Sequence, residues 1–230
     1  YLTVGNGEIF HEGFVLDYIT VNPDNPCIED YVVTPQWPNN VKVVGNYAYI
    51  ASTISGLQIV DVSDPNAMSL VGGISSLYIS YVVDVQGNYA YVADYSRGLR
   101  IINISDPVNP ILVSTTDTPG ECRGVAVSGN YAYVADGSLG LQVIDVSSPT
   151  VPYIVGSLDL LGYAHNAKVC NGLVYVLSQS AGLHIIDASN PLDPTLLRRV
   201  NTPGSAHDVV FSENYAYVAD VSQVLQIVDI

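Results

Sequence analysis

Arg123, His165, His207 and Asp208 are the side chains of this sequence best equipped for chemistry: a fixed cation, two imidazoles and a carboxylate. Arg123, His165 and His207 lie 42 residues apart each time (165 − 123 and 207 − 165), and the same column continues backwards through Tyr81 to Asn39. The column that follows reads Asn40, Val82, Gly124, Asn166 and Asp208. Two imidazoles with a nearby carboxylate make a donor set for a transition metal, so His165, His207 and Asp208 are the candidate metal ligands. With Arg123 they also offer an acid, a base and an anion clamp. The plainer reading of the same residues is that each hydrogen-bonds a loop carbonyl or a water, because polar groups lining a wet cavity need no ligand.

The spacing belongs to the whole chain. Gly45-Asn-Tyr-Ala-Tyr-Ile, Gly87-Asn-Tyr-Ala-Tyr-Val, Gly129-Asn-Tyr-Ala-Tyr-Val, Asn171-Gly-Leu-Val-Tyr-Val and Glu213-Asn-Tyr-Ala-Tyr-Val all start at the same phase, with a constant step of 42. A unit this short cannot bury its own apolar faces and must stack on copies of itself. Within the unit from Cys122 to Asp159, short β-rich runs alternate with Gly-Asn, Gly-Ser and Ser-Pro turn residues, which predicts four antiparallel strands, A to D. The expected fold is therefore all-β, a β-propeller of four-stranded antiparallel blades, with strand A lining a central channel. A right-handed solenoid is the structural rival, but its periods are commonly shorter, nearer 20 to 30. Residues 1–230 are read as one domain, with 1–44 a divergent blade plus the first strand of the next, 45–212 four regular repeats and 213–230 a partial repeat. That counts about six blades, the last incomplete, with seven possible in a longer chain. Because the sequence opens on Tyr1 and stops at Ile230 inside a repeat, attached domains outside 1–230 are expected.

On this frame the D to A and B to C loops share one face, and Asn39, Tyr81, Arg123, His165, Asn166, His207 and Asp208 are expected to ring the channel mouth as the ligand-binding residues. Asp94, Asp136 and Asp220 end strand B on that face, with Ser52 and Ser178 in their place elsewhere. They are expected to accept hydrogen bonds from backbone N–H groups of the B to C turn. Asp61, Asn103, Asp145, Asp187 and Asp229 end strand C on the opposite face, and recurrence in every blade points to building the blade. Asp64-Pro65, Asp106-Pro107, Ser148-Pro149 and Asn190-Pro191 initiate turns. Tyr47, Tyr89, Tyr131 and Tyr215 recur with the period and are expected to pack in the core or between blades. Asn103-Ile-Ser105 is a lone glycosylation sequon.

Gly-Asn-Tyr-Ala-Tyr-Val-Ala-Asp, then Gly-Leu-Gln-Val-Ile-Asp-Val, then Ser-Asp-Pro with Asn-Pro after it, as in Ser105 to Pro110, resembles the LVIVD repeat of bacterial and archaeal surface proteins over about 45 to 230. The resemblance implies an exported β-propeller, often part of a larger cell-surface protein, with no fixed activity. Trp-Asp propellers are disfavoured, since the single tryptophan, Trp37, is followed by proline.

Composition narrows the partners. Seven Lys and Arg against 22 Asp and Glu leave a net charge of −15, which repels phosphate backbones and excludes nucleic acid as an expected partner. No apolar run reaches the roughly 18 to 20 residues of a spanning helix, so this segment should not insert in a membrane. Cys27, Cys122 and Cys170 have no CxxC spacing, and Cys122 and Cys170 fall near opposite ends of equivalent strands, too far apart to be bridged. There is no Gly-x-Ser-x-Gly elbow, phosphate loop or His-Glu-x-x-His. The expectation is a non-enzymatic, extracellular or cell-surface module that binds a protein or cell-surface component and carries no cofactor. The alternative is a channel-mouth ligand- or metal-binding propeller, acting as a lyase, hydrolase or dehydrogenase; it rests on fold analogy.

Overall fold

A computed structural model of the chain describes residues 15–18, 30–75, 77–221 and 224–230. Strands β1 (Val15–Tyr18) and β2 (Asp30–Val33) form a short antiparallel ladder. Blade 1 follows as β3 (Pro38–Val44), β4 (Tyr47–Ser52), β5 (Gly56–Asp61) and β6 (Ser69–Ile74). Blade 2 is β7 (Val82–Gln86), β8 (Tyr89–Ala93), β9 (Leu99–Asn103) and β10 (Ile111–Thr116). Blade 3 is β11 (Gly124–Ser128), β12 (Tyr131–Ala135), β13 (Leu141–Asp145) and β14 (Tyr153–Leu158). Blade 4 is β15 (Ala164–Cys170), β16 (Leu173–Ser178), β17 (Gly182–Asp187) and β18 (Thr195–Val200). Blade 5 holds three strands, β19 (Ala206–Ser212), β20 (Tyr215–Asp220) and β21 (Val224–Asp229).

Each blade is an antiparallel meander in sequence order, and the inner strands β3, β7, β11, β15 and β19 pack each on the next. The described residues thus make five blades of three or four strands in a propeller arrangement, where the sequence suggests about six. Most of the expected divergent blade, 1–14 and 19–29, and with it Cys27, lies outside the described residues; the β1–β2 ladder is the part that is seen.

Both faces of a blade meet neighbours, so strands B and C are apolar on both sides. Tyr49, Leu57 and Ile59 of blade 1 pack against Val83, Ala90, Val92 and Ile102 of blade 2. The same arrangement repeats between blades 2 and 3, 3 and 4, and 4 and 5. The second tyrosine of each Tyr-Ala-Tyr motif, Tyr49, Tyr91, Tyr133 and Tyr175, is buried in this core. Tyr47, Tyr89 and Tyr131 lie at its margin, and Tyr215 in blade 5 is exposed. Blade 5 leaves its far face open: Leu57, Leu99, Leu141 and Leu183 are 0% exposed, but Leu225 at the same position is 52% exposed and Ile227 62%.

Two recurrent polar columns hold the loops. Asp61, Asn103, Asp145 and Asp187 each accept the backbone N–H two residues on, at 2.8 to 2.9 Å, closing the turn that leaves strand C. The strand B aspartates act differently from expectation. Asp94, Asp136 and Asp220 accept the N–H of Tyr78 (2.7 Å), Gly120 (2.9 Å) and Gly204 (3.0 Å), sixteen residues upstream in the D to A loop. The B to C turn needs no side chain, because its backbone closes on itself, as in Asp94 N–H to Gly98 O and Asp136 N–H to Gly140 O. Where serine replaces aspartate the polarity reverses: Ser52 and Ser178 donate to the carbonyls of Gln36 and Leu161 in the same loop. Burial raises the Asp94 and Asp136 carboxyls above the usual range, against the opposing pull of these bonds.

Candidate site at the channel mouth

The column Asn39, Tyr81, Arg123, His165 and His207 forms a continuous line across the five inner strands. Asn39 donates to Ser80 O at 2.8 Å, next to Tyr81. The Arg123 guanidinium lies 4.5 Å from the Tyr81 ring centroid. The His165 and His207 rings meet edge to face, 4.9 Å between centroids. Burial, then His207 and Arg123, push His165 down to about 4, so its imidazole is neutral at physiological pH. Its Nδ1 is buried without a hydrogen-bond partner.

The following column ties adjacent blades together. Asn40 Oδ1 accepts Val83 N–H at 3.1 Å, and Asn166 donates to Asp208 Oδ1 at 3.1 Å. Lys168 pairs with the same Asp208 oxygen at 3.4 Å. Asp208 is therefore engaged with Asn166 and Lys168, and among the described residues no group of three His, Cys, Asp or Glu side chains is gathered to hold a metal ion. The two imidazoles come together as expected; the carboxylate does not complete a three-ligand set with them.

Around Arg123 the loops build an arrangement of aromatic rings that the strand columns alone do not reveal. Tyr95 and Tyr163 stand 4.9 and 5.3 Å from the guanidinium, completing with Tyr81 three ring faces about one cation. Such contacts contribute about 0.5 to 2 kcal/mol each. Arg123 Nε donates to the Tyr163 hydroxyl at 3.1 Å, and its terminal nitrogen pairs with Glu121 at 3.1 Å. Tyr163 and Tyr95 also hydrogen-bond Glu121, which lowers its carboxyl below the usual range. Burial and Glu121 push the Tyr163 hydroxyl up to about 12. Tyr78 stacks on Tyr95 at 6.4 Å and carries the Arg97 guanidinium at 5.6 Å.

The backbone is shaped for these rings. Tyr95 takes φ +48, a left-handed conformation that blade 3 fills with Gly137 at φ +61. Tyr95 and Cys122 exchange backbone hydrogen bonds, as do Gly137 and Ala164, and this clamps the B to C turn to the D to A loop of the same face. At Gly137 the missing Cβ makes room for the Tyr163 ring, which a side chain there would meet at 3.2 Å. A bulky residue held in the left-handed region costs roughly 1 to 3 kcal/mol and is found mainly where function requires it. Register could have found these residues too: Thr53, Tyr95, Gly137, Gln179 and Val221 form one disagreeing column, and Trp37, Ile79, Glu121, Tyr163 and Ser205 another.

The LVIVD repeat matches residues 38–75, 80–118, 119–159, 161–202 and 203–230, well over half of the chain. The chain belongs to the LVIVD repeat family. Each match to the LVIVD repeat covers one blade, which agrees with the five described. No curated protein matches the LVIVD chain. Among solved structures, it resembles a functionally unknown protein from Desulfotomaculum acetoxidans, with TM-score 0.72 and 16% identity over 88% of this chain and 72% of that one. It also resembles the computationally designed Ika8 protein, with TM-score 0.68 and 8% identity over 86% of this chain. The LVIVD chain spans 59% of the length of the designed protein. At these identities the likeness is one of fold.

Proposed function

We propose that this LVIVD propeller is an exported, cell-surface module that binds a protein partner through its channel-mouth face and catalyses no reaction. The observation that carries the reading is the cluster of Tyr78, Tyr81, Tyr95 and Tyr163 around Arg97 and Arg123. Tyrosine, tryptophan and arginine are the residues that protein interfaces concentrate at their energetic centres. Around the cluster, on the same loops, Trp37, Ile54, Leu139 and Leu161 are exposed. Arg123 and Glu121 neutralise one another, and the strand-end carboxylates are used in holding loops, which fits a preformed docking surface better than acid–base work. The acidic surface, net charge −15, and the family resemblance support a location outside the cell.

The same reading holds that about six blades exist, the divergent one from 1–44, and that further chain covers the open face of blade 5. A second reading, a small ligand or metal ion at the mouth, is favoured by the approach of His165 and His207 alone. Zinc titration with and without His207→Ala separates it from the first.

Protease treatment of intact cells tests location: the chain should be cleaved without lysis, and a protected, cytoplasmic chain would sink the export reading. A photocrosslinker at position 78 tests the surface. It should capture one partner in competition with wild-type protein but not with Arg123→Ala, whereas equal competition by both would contradict the assignment.

A further inference from the structure

Asn103-Ile104-Ser105 is the one Asn-x-Ser/Thr sequence of the chain with a residue other than proline in the middle. We propose that Asn103 is an N-glycosylation site, accepting an oligosaccharide from a lipid-linked pyrophosphate donor; this rests on the export reading, since such donors meet translocated chains.

The column that Asn103 occupies shows what the turn requires of it. Asp61, Asp145 and Asp187 do the same work with one carboxylate oxygen, each accepting the N–H two residues on. Asn103 does it with Oδ1 at 2.9 Å from Ser105 N–H. The turn therefore uses only the oxygen, and the amide nitrogen contributes nothing that aspartate lacks. In blade 3 the second carboxylate oxygen of Asp145 is met by the hydroxyl of Tyr153, its partner across the strands. The partner of Asn103 is Ile111, which is apolar and 63% exposed. Nδ2 of Asn103 has no protein hydrogen bond among the described residues, and it stands beside a side chain that neither donates nor accepts.

Access fits as well. Ser105, Asp106 and Val108 are exposed, and Asn103 itself is half-buried at the end of its strand. In blade 3 the equivalent Ser147 hydroxyl donates to Asp145 Oδ1 at 2.6 Å, so this turn geometry brings a hydroxyl onto the side-chain oxygen of the acceptor residue. The asparagine plus a hydroxyl two residues on is the pair that the sequon requires. Strand C ends on the face opposite the channel mouth, so a glycan there leaves the tyrosine–arginine surface uncovered.

In the transfer, Nδ2 attacks the anomeric carbon of the donor sugar and forms the C–N bond. The bond from that carbon to the pyrophosphate oxygen breaks, and the lipid pyrophosphate leaves with the electron pair. The amide gives up one proton to a base of the transferase.

Translocation of the chain, behind a cleavable signal sequence, into glycosylation-competent microsomes tests the site independently of where the protein resides in its own cell. The translocated chain should gain one oligosaccharide, removable by an amide-cleaving glycosidase and mapped by mass spectrometry to the peptide holding Asn103. Asn103→Asp places the residue of the sister blades there; it should fold with unchanged stability and carry no glycan, and Ser105→Ala should also stay bare. A translocated wild-type chain that remains unmodified would overturn the proposal. Cell fractionation, read separately, decides the export reading.

Discussion

Tyr95 is where strain and recognition meet at the scale of single residues. Its φ of +48 is the conformation that blade 3 gives to a glycine, so Tyr95→Gly should raise stability by about 1 kcal/mol in chemical denaturation while emptying one face of the Arg123 cage. His184 is a second local conflict. It is fully buried with neither ring nitrogen bonded to a partner, and burial lowers its proton affinity. Gln58 and Gln142 occupy the same column and donate to the carbonyls of Ser55 (2.6 Å) and Leu139 (3.2 Å). His165, held down to about 4, adds to the same effect. For both, the unfolded chain takes up a proton near pH 6.5 and the folded chain only below it. Their contribution is thus intact above about 6.5 and falls as the pH drops from there towards 4. Denaturation midpoints should decline over that window, and His184→Gln should flatten the decline and raise the midpoint at pH 5; an unchanged pH profile would refute this.

At the scale of elements, the D to A loops are held by the aspartates that close strand B. Asp136 takes the Gly120 N–H and the Thr118 hydroxyl, at 2.9 and 2.6 Å. Asp136→Ala should leave both donors unsatisfied, cost about 1 to 3 kcal/mol and loosen the loop that carries Glu121 and Arg123. Hydrogen exchange of the Gly120 amide checks it directly, since the amide should exchange faster in the variant. Strand order, turn positions and the Asx turns after strand C were all legible in the sequence, because a 42-residue period superimposes five independent readings of each position. The partner of the strand B aspartate was not. A contact sixteen residues upstream depends on how a loop folds back over the blade, and periodicity carries no information about that path. The aromatic cage was missed for a related reason: Tyr95, Glu121 and Tyr163 lie in three different loop columns, and only the close approach of blades 2, 3 and 4 makes them one site.

For the whole molecule, stability resides between blades. Leu183 is buried against blade 5 and Leu225 has no blade against it. Leu183→Ala should therefore cost about 2 to 5 kcal/mol, and Leu225→Ala well under half of that; equal losses would mean that the face of blade 5 is covered in solution. The sequence also called blade count and site position together, and the two fared differently. The inner-strand column does run Asn39, Tyr81, Arg123, His165, His207 from blade to blade, but the chemistry it holds is that of a guanidinium enclosed by rings, with Asp208 turned to Lys168. The account's central claim is that this enclosed surface is a docking site, and the most direct measurement is equilibrium binding of wild-type and Tyr95→Gly protein to the partner captured at position 78. Because the variant should be at least as stable as wild type, a drop in affinity of roughly thirtyfold, about 2 kcal/mol, would report the surface itself. Unchanged affinity in the stable, folded variant would contradict the claim.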